Sequence, residues 1–247
     1  MLIGVIFPRR VGVEHTGKAG SPSGTGRHGQ LMKVGAILFD MDGTLIDSNE
    51  ASEGLWQRWA ALNHVPMERI RAVHHGRRPE ETIAIVAPHL NAVEEAKLLY
   101  REQEDLTSGI YPIAGAKAFF DSVPWDQSAL VTAATHAIMS LRFQVVGMVP
   151  PKVCVTSEML SIGKPDPEGY LKAAASLGFE PSDCIVFEDA PAGLIAAHRA
   201  GMRSVAILTN YSEGALRQEL GTQISSVAYL PDLQHVHYLD GMLHLPH

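Results

Sequence analysis

The feature that most constrains the fold is an alternation of short apolar runs with segments of helical periodicity, beginning at Val34. Polar residues hardly interrupt these runs, as is typical of strands that are covered on both faces. The runs predict strands at residues 34–39, 128–132, 152–156, 184–188 and 204–208. Helical periodicity between them predicts helices at residues 114–122, 136–146, 167–177, 191–200 and 213–220. This order indicates an α/β fold with a doubly wound, mostly parallel sheet.

Turn-forming residues agree with these boundaries. Pro167 and Pro191 fit the first turns of their helices, and Gly178 and Gly201 fit helix ends. Asp240-Gly241, near the end of the chain, predicts a β-hairpin.

One long stretch lacks any convincing strand. Between Ser48 and Ile113 the pattern predicts only helices, at residues 49–63, 66–73, 79–87 and 93–107. We therefore predict an all-helical cap at residues 48–111, inserted into a catalytic core of residues 34–47 and 112–247. A lobe inserted just after the first strand stands over the carboxyl end of that strand, where open α/β sheets bind ligands. We expect hinges near residues 46–48 and 111–115.

The first 33 residues differ from the rest because they are rich in glycine and serine. Such a segment buries too little apolar surface to offset its ordering entropy. We expect a flexible leader at residues 1–33, or a true start at Met32, and unchanged activity after deletion of residues 1–31.

Composition excludes several classes of protein. The net charge of -7 disfavours binding to nucleic acid or to an anionic membrane surface. No apolar run is long enough to cross a bilayer, and the charges of the N-terminal segment follow its apolar stretch, so we predict a cytoplasmic protein. Cys154 and Cys184 lie in apolar runs without metal-ligand spacing and are predicted to be free thiols. The sequence does not indicate an oligomeric state.

Acidic residues gather where the predicted strands end. Because the carboxyl ends of parallel strands meet at one edge of a sheet, we expect one crevice to hold Asp40, Asp42, Thr132, Glu188 and Asp189, with Lys164 in a loop on the same side. Two carboxylates about 4 Å apart repel by about 4 kcal/mol at an effective dielectric constant near 20. Oxygen ligands of this kind suit Mg²⁺, so we expect this cofactor.

Asp40 and Asp42 are suited to phosphoryl transfer. One carboxylate can attack phosphorus to form an aspartyl phosphate, while a second protonates the leaving oxygen and then activates water. Residues two apart in a strand share a face, and Gly43 permits a tight turn after Asp40, so Asp40 and Asp42 can both face a ligand. Thr132 can donate a hydrogen bond to a phosphoryl oxygen, and Lys164 can stabilise the charge that develops.

Four motifs carry a resemblance to a known family. "DMDGT", Thr132 ending "ALVT", Lys164 in "GKPDP" and "FEDAPAG" resemble, in order and spacing, the motifs of the haloacid-dehalogenase-like phosphatases. The resemblance implies a Rossmann-like core and catalytic roles for Asp40 (nucleophile), Asp42 (general acid and base), Thr132 (phosphate anchor) and Lys164. It also implies Mg²⁺ ligation by Asp40, the carbonyl of Asp42 and Asp189, with support from Glu188.

A narrower resemblance concerns the substrate. "AVHHGRRPEETIAIVAP", "GKPDPEGYL" and "FEDAPAGL" are similar to the glycerol-3-phosphate phosphatases and to related bacterial sugar-phosphate phosphatases. It implies that a small phosphorylated metabolite contacts His75 or Arg78. "TAAT" departs from the usual Thr-Ser-Gly, which leaves Ala133 only its backbone N–H as a phosphate donor.

Four alternatives make different demands on the sequence. A haloacid dehalogenase has no use for an acid at Asp42, and a phosphonatase needs a cap lysine, for which only Lys97 in a charged helix is present. A phosphomutase of the beta-phosphoglucomutase type has histidine where this chain has Ser52. A non-catalytic interaction protein would have been free to lose one of the acids or Lys164. We therefore predict a phosphatase, with the mutase and the non-catalytic protein as alternatives.

Overall fold

A computed structural model describes residues 29–246 of the chain. The strands, numbered in chain order, are β1 (Gln30–Lys33), β2 (Ala36–Phe39), β3 (Ile46–Asp47), β4 (Tyr111–Pro112), β5 (Ser128–Val131), β6 (Val153–Val155), β7 (Cys184–Glu188), β8 (Arg203–Ile207), β9 (Ala228–Leu230), β10 (His237–Leu239) and β11 (Met242–Leu245). The helices are α1 (Asn49–Asn63), α2 (Met67–Arg71), α3 (Pro79–Val86), α4 (Ala92–Glu104), α5 (Ala116–Ser122), α6 (His136–Val145), α7 (Glu168–Leu177), α8 (Pro191–Arg199) and α9 (Glu213–Leu220).

The central sheet has six parallel strands in the order β6-β5-β2-β7-β8-β9. Its five predicted strands are all present, and the predicted α/β fold with a doubly wound sheet is confirmed. Strand β9 was not predicted. Strands β2 and β7 lie at the centre, and every residue in both of them is buried. The carboxyl ends of these two strands are therefore neighbours.

Side chains of β2 alternate between two hydrophobic cores. Ile37 and Phe39 pack on one face of the sheet with residues of α5 and α6, and Ala36 and Leu38 pack on the other face with residues of α7 and α8. The ring centroid of Phe39 lies 5.6 Å from that of Phe187 in β7. Burial of a large apolar side chain stabilises the fold by about 1.5–3 kcal/mol, so this layered packing holds the two central strands in register.

Helices α1–α4, which we call the helical lobe (residues 49–104), form a third hydrophobic cluster. It includes Leu55, Trp56 and Trp59 of α1 with Ile83 of α3 and Leu99 of α4. The lobe enters and leaves the core through β3 and β4, which pair with each other in antiparallel fashion. These strands coincide with the predicted hinge regions. The division into core and cap, with its boundaries, stays a prediction.

The predicted leader is too long at its C-terminal end. Residues 30–33 form β1, which pairs with β11 in an antiparallel sheet that also contains β10. Met32 is buried there and packs in the main core. The rest of the predicted leader, residues 1–28, lies outside the described residues. The predicted hairpin is confirmed, because β10 and β11 pair around Asp240-Gly241.

Two further predictions concern the whole chain. Cys154 and Cys184 are free thiols, as predicted. Across residues 29–246, no helix combines the length and the apolar character that a membrane crossing requires. The cytoplasmic location stays a prediction.

Candidate active site

Asp40 follows the last residue of β2 and is almost fully buried. Its backbone N–H donates to the carbonyl of Phe187 at 3.0 Å, so β7 fixes its position. The chain then turns tightly, with Gly43 at φ +87°. A Cβ at position 43 would lie 2.3 Å from Oδ2 of Asp189, so glycine is required for backbone conformation and for close approach. The turn thus brings Asp40 next to Asp189.

Lys164 reaches the same point from the loop before α7. Its buried Nζ donates to Asp40 Oδ1, to Glu188 Oε1 at 2.7 Å and to the carbonyl of Val131 at 3.2 Å. Burial alone would lower the pKa of Lys164, but the carboxylates of Asp40 and Glu188 raise it well above its usual value. Lys164 therefore carries a full positive charge among the acids.

Three buried carboxylates surround this ammonium group. One oxygen each of Asp40, Glu188 and Asp189 lies within 4.8 Å of the others. Burial raises the pKa of Asp40 to about 7, despite the opposing effect of Lys164. The pKa of Asp189 lies well above its usual value, through burial and then the charges of Glu188 and Asp40. With all three acids ionised, one lysine leaves the cluster with two uncompensated negative charges.

Two oxygens of this cluster are available to bind a divalent cation. Oδ2 of Asp40 and Oδ1 of Asp189 are buried and accept no hydrogen bond from any described residue. The other oxygen of Asp189 accepts from Asn210 at 2.5 Å, and Oε2 of Glu188 accepts two backbone N–H groups at 2.9 Å. Because buried acceptors are normally satisfied, these free oxygens and the surplus charge fit the predicted Mg²⁺.

Asp42 lies beside this cluster but is less buried. Oδ1 accepts a hydrogen bond from the hydroxyl of Ser48 at 2.7 Å, and Oδ2 forms an ion pair with the buried guanidinium of Arg142 in α6. Arg142 also donates to Oε1 of Gln103 in α4 at 2.9 Å. Asp42, the predicted general acid and base, is therefore held by Ser48 and Arg142, and Arg142 links it to the helical lobe.

Thr132 follows β5 and lies at the same edge of the sheet. It is buried, and its Oγ1 accepts from the N–H of Ala134 at 3.1 Å, which leaves the hydroxyl hydrogen available to a ligand. Ala133 lies between them and lines the same cavity as Asp40 and Asp42. The sequence TAAT thus preserves the backbone turn at this point without the second hydroxyl.

A cavity of about 80 Å³ joins these groups to the helical lobe. From the lobe it is lined by His75 and Trp56, which face the strand ends across the cavity. Burial lowers the pKa of His75, so its imidazole is neutral near pH 7. Polar side chains complete this wall: Asn49, Ser52, Arg77, Tyr100 and Gln103. The cavity therefore combines an acidic floor, formed by Asp40 and Asp42, with a wall of hydrogen-bonding groups.

Arg78 lies against the loop before Lys164, and its predicted contact with the substrate stays a prediction. Its guanidinium lies 2.6 Å from Glu81 and donates to the carbonyls of Leu160 and Ser161 at 3.3 and 3.4 Å. These partners hold Arg78 away from the cavity, which is lined by the preceding Arg77 instead. Lys97 has an exposed ammonium paired with Glu94 at 2.6 Å, so it does not reach the site.

Sequence reasoning missed three polar contacts of the acids, those from Ser48, Arg142 and Asn210. A signal existed for Arg142, because it is the one charged residue within the apolar stretch "AIMSLRF". Its burial in α6 is unusual for an arginine without a partner. Ser48 and Asn210 lie in loops, and their sequence context carries no comparable signal.

The fold and the site together define an α/β core with a doubly wound parallel sheet and an acidic, lysine-containing centre at its strand ends. The family model for haloacid dehalogenase-like hydrolases matches residues 37–207. The chain belongs to this family, and the predicted superfamily is confirmed.

Known relatives agree with this assignment. Hexitol phosphatase A of Escherichia coli is 34% identical over 71% of this chain and 84% of the relative. Glycerol-1-phosphate phosphohydrolase 2 of Saccharomyces cerevisiae is 31% identical over 76% of this chain and 80% of the relative. Among solved structures, a hydrolase from Pseudomonas syringae has a TM-score of 0.71 at 22% identity, over 81% of this chain and 94% of that one. This last likeness concerns the fold.

Proposed function

We propose that the chain is a Mg²⁺-dependent phosphatase that hydrolyses small sugar or polyol phosphate monoesters through an aspartyl phosphate on Asp40. The two relatives described above are named as phosphatases, which confirms the predicted enzyme class, a phosphoric monoester hydrolase. Their names refer to a hexitol and to glycerol 1-phosphate, which supports a polyol phosphate as the substrate. The finer points of the proposal depend on this chain's own residues.

The observation that carries the proposal is the buried cluster of Asp40, Glu188, Asp189 and Lys164. Its acids lie within 4.8 Å of one another, and two of their oxygens have no protein partner among the described residues. Such a cluster is costly for stability, since two like charges at this distance repel by about 3–4 kcal/mol at a dielectric constant near 20. Strained electrostatics of this kind is characteristic of functional sites.

Mg²⁺ held by Asp40, Asp189 and the carbonyl of Asp42, with Glu188 in support, would neutralise the surplus charge and polarise the phosphoryl group. Asp40 supplies the nucleophilic carboxylate, with Oδ1 held by Lys164 and Oδ2 free of partners among the described residues. Lys164 and the Thr132 hydroxyl are placed to stabilise negative charge on the phosphoryl oxygens. The Ala133 N–H offers a further donor.

Asp42 acts as the general acid and base in this proposal. Asp42 in its protonated form donates its proton to the leaving oxygen as the Asp40–phosphorus bond forms and the bond from phosphorus to that oxygen breaks. The resulting carboxylate then takes a proton from the water that attacks phosphorus. That attack releases phosphate and restores the Asp40 carboxylate. Ser48 and Arg142 orient Asp42 for both steps.

The helical lobe selects the substrate and excludes water. The wall of the cavity offers hydrogen-bonding groups that suit hydroxyls, among them Asn49, Ser52 and Gln103, together with the charged Arg77. Ser52 is part of this wall, at the position where mutases of the beta-phosphoglucomutase type carry a histidine. This supports hydrolysis over transfer to a second hydroxyl of the sugar.

A screen of phosphorylated metabolites with Mg²⁺, measuring free phosphate, tests the proposal. We expect release from polyol or sugar phosphates and none when the metal is chelated. Hexose 1-phosphates separate the alternatives, because a mutase yields the 6-phosphate isomer and a phosphatase yields free sugar and phosphate. Failure to release phosphate from any member of the panel would contradict the proposal and favour a non-catalytic protein.

A further inference from the structure

We infer that Glu81 of the helical lobe, with Arg78, is a positioning residue for Lys164. The inference rests on the proposed function, because it concerns how the catalytic lysine is set in place. It concerns the loop of residues 160–164, which we call the lysine loop. This loop ends in Lys164 and lies between β6 and α7.

The contact between the lobe and the lysine loop is direct. Oε1 of Glu81 accepts a hydrogen bond from the N–H of Gly163 at 2.7 Å, and Gly163 is bonded covalently to Lys164. Arg78 donates to the carbonyls of Leu160 and Ser161 in the same loop. Arg78 and Glu81 therefore bind one N–H group and two carbonyl groups in the backbone of the lysine loop.

Arg78 and Glu81 also hold each other in place. Nε of Arg78 donates to Oε1 of Glu81 at 3.0 Å, and the backbone N–H of Arg78 lies 3.3 Å from Oε2 of Glu81. The side chain of Arg78 is only 12% exposed and that of Glu81 21%. The pair thus caps the start of α3 and presents a fixed carboxylate to the loop.

The core binds a different part of the lysine loop. Glu168, at the start of α7, accepts the N–H groups of Ser161 and Ile162, each at 3.0 Å from Oε2. The N–H of Gly163 is bonded to the lobe instead. The N–H of Gly163, the residue next to Lys164, therefore has a partner only when the lobe lies over the strand ends.

The close contact with Glu81 also explains why position 163 is a glycine. A Cβ there would lie 2.6 and 2.7 Å from the two carboxylate oxygens of Glu81 and 2.9 Å from Nε of Arg78. Glycine lets the carboxylate approach the backbone. Lobe and loop are therefore fitted to each other, and placement of the lobe is coupled to placement of Lys164 beside Asp40.

This role differs from the substrate contact predicted for Arg78. A residue that binds the leaving group changes the KM of one substrate and not of another, whereas a residue that positions Lys164 changes kcat for every phosphate ester. The test therefore compares para-nitrophenyl phosphate with glycerol 1-phosphate, with Mg²⁺ present. Glu81→Ala, in the lobe, removes the hydrogen bond between Glu81 and Gly163. Gly163→Ala, in the core, disturbs the same hydrogen bond.

We expect each variant to lower kcat about tenfold with both substrates, which is the effect of one charged hydrogen bond, and to change KM little. Glu81→Gln should recover part of the loss, since its amide oxygen still accepts from Gly163. Matched controls are Glu94→Ala, in the exposed first turn of α4, and Gly214→Ala, where nothing lies within 4 Å of the added Cβ. Both should have the kcat of the unaltered chain.

A readout without turnover completes the test. Hydrogen exchange of the Gly163 amide, with Mg²⁺ and orthovanadate bound, should be faster in Glu81→Ala than in Glu94→Ala. The inference is overturned by an unchanged kcat in Glu81→Ala and Gly163→Ala, or by a defect confined to the KM of glycerol 1-phosphate. If the unaltered chain releases phosphate from no ester of the metabolite panel, the proposed function fails, and the exchange rate of the Gly163 amide still tests the inference.

Discussion

Lys164→Met tests the electrostatic account of the site. The substitution keeps a side chain of similar length but removes the buried charge that contacts Asp40 and Glu188. Removing one partner of a buried ion pair costs about 3–5 kcal/mol, because the remaining charges lose their compensation. For a chain of this size 1 kcal/mol corresponds to about 2–4 °C, so we expect the metal-free midpoint of thermal unfolding to fall by roughly 6–20 °C.

Mg²⁺ should reverse much of this loss of stability without restoring turnover. A free Mg²⁺ concentration of 100 times the dissociation constant adds about 2.7 kcal/mol to the free energy of unfolding, provided that the unfolded chain does not bind the metal. The stability defect should also be larger at pH 8 than at pH 5, because protonation neutralises the uncompensated acids at low pH. Thermal unfolding followed by circular dichroism, with and without Mg²⁺, measures each effect.

Lys117→Met is the matched control. Lys117 lies on the surface and pairs with Asp121 at 2.8 Å in an exposed i,i+4 contact, which is worth less than about 1 kcal/mol. Its removal should shift the midpoint by a few degrees at most and leave phosphate release intact. Equal stability of the two variants in metal-free buffer would refute the claim that Lys164 compensates a buried acidic cluster.

Three further predictions concern the same centre. Burial raises the pKa of Asp40 to about 7, so the metal-free folded state binds more protons than the unfolded chain between about pH 4 and pH 7. The free energy of unfolding of the metal-free chain should therefore fall as the pH rises through that range. Denaturant titrations at several pH values measure this, and a free energy of unfolding that rises with pH would contradict it. Arg142→Ala should lower kcat at least about tenfold by freeing the Asp42 carboxylate, with steady-state kinetics as the measurement and an unaltered kcat as the contrary result. Gly43→Ala should abolish both Mg²⁺-induced stabilisation and turnover, because its Cβ would meet Asp189 at 2.3 Å; calorimetric Mg²⁺ binding equal to that of the unaltered chain would oppose this.

The positions of the acids could be predicted because few physical rules determine them. Parallel strands end at one edge, so Asp40 and Asp189, which each follow a central strand, had to be neighbours. Lys164 was expected nearby because its loop precedes a helix on the same side of the sheet, and the structure places its ammonium between Asp40 and Glu188. These placements follow from main-chain topology, which apolar periodicity reveals.

Contacts between distant segments could not be predicted in the same way. Arg78 was expected at the substrate, but its direction depends on Glu81 and on the carbonyl of Leu160, 82 residues away. The partner of Arg142 was likewise missed because neither Asp42 nor Gln103 lies near it in sequence. The glycine- and serine-rich composition of the first 33 residues does not indicate strand β1, which has a single buried residue, Met32, and pairs with the far end of the chain.

The central claim is that Asp40 becomes phosphorylated during turnover. The most direct measurement is mass spectrometry of acid-quenched peptides after mixing the Asp42→Asn variant, which lacks the group that activates water, with Mg²⁺ and para-nitrophenyl phosphate, whose leaving group departs without a proton. We predict one phosphoryl group on the peptide that contains Asp40 and none when Asp40→Asn is combined with this variant. A phosphoryl group on another residue, or phosphate release by Asp40→Asn alone at the rate of the unaltered chain, would contradict the account.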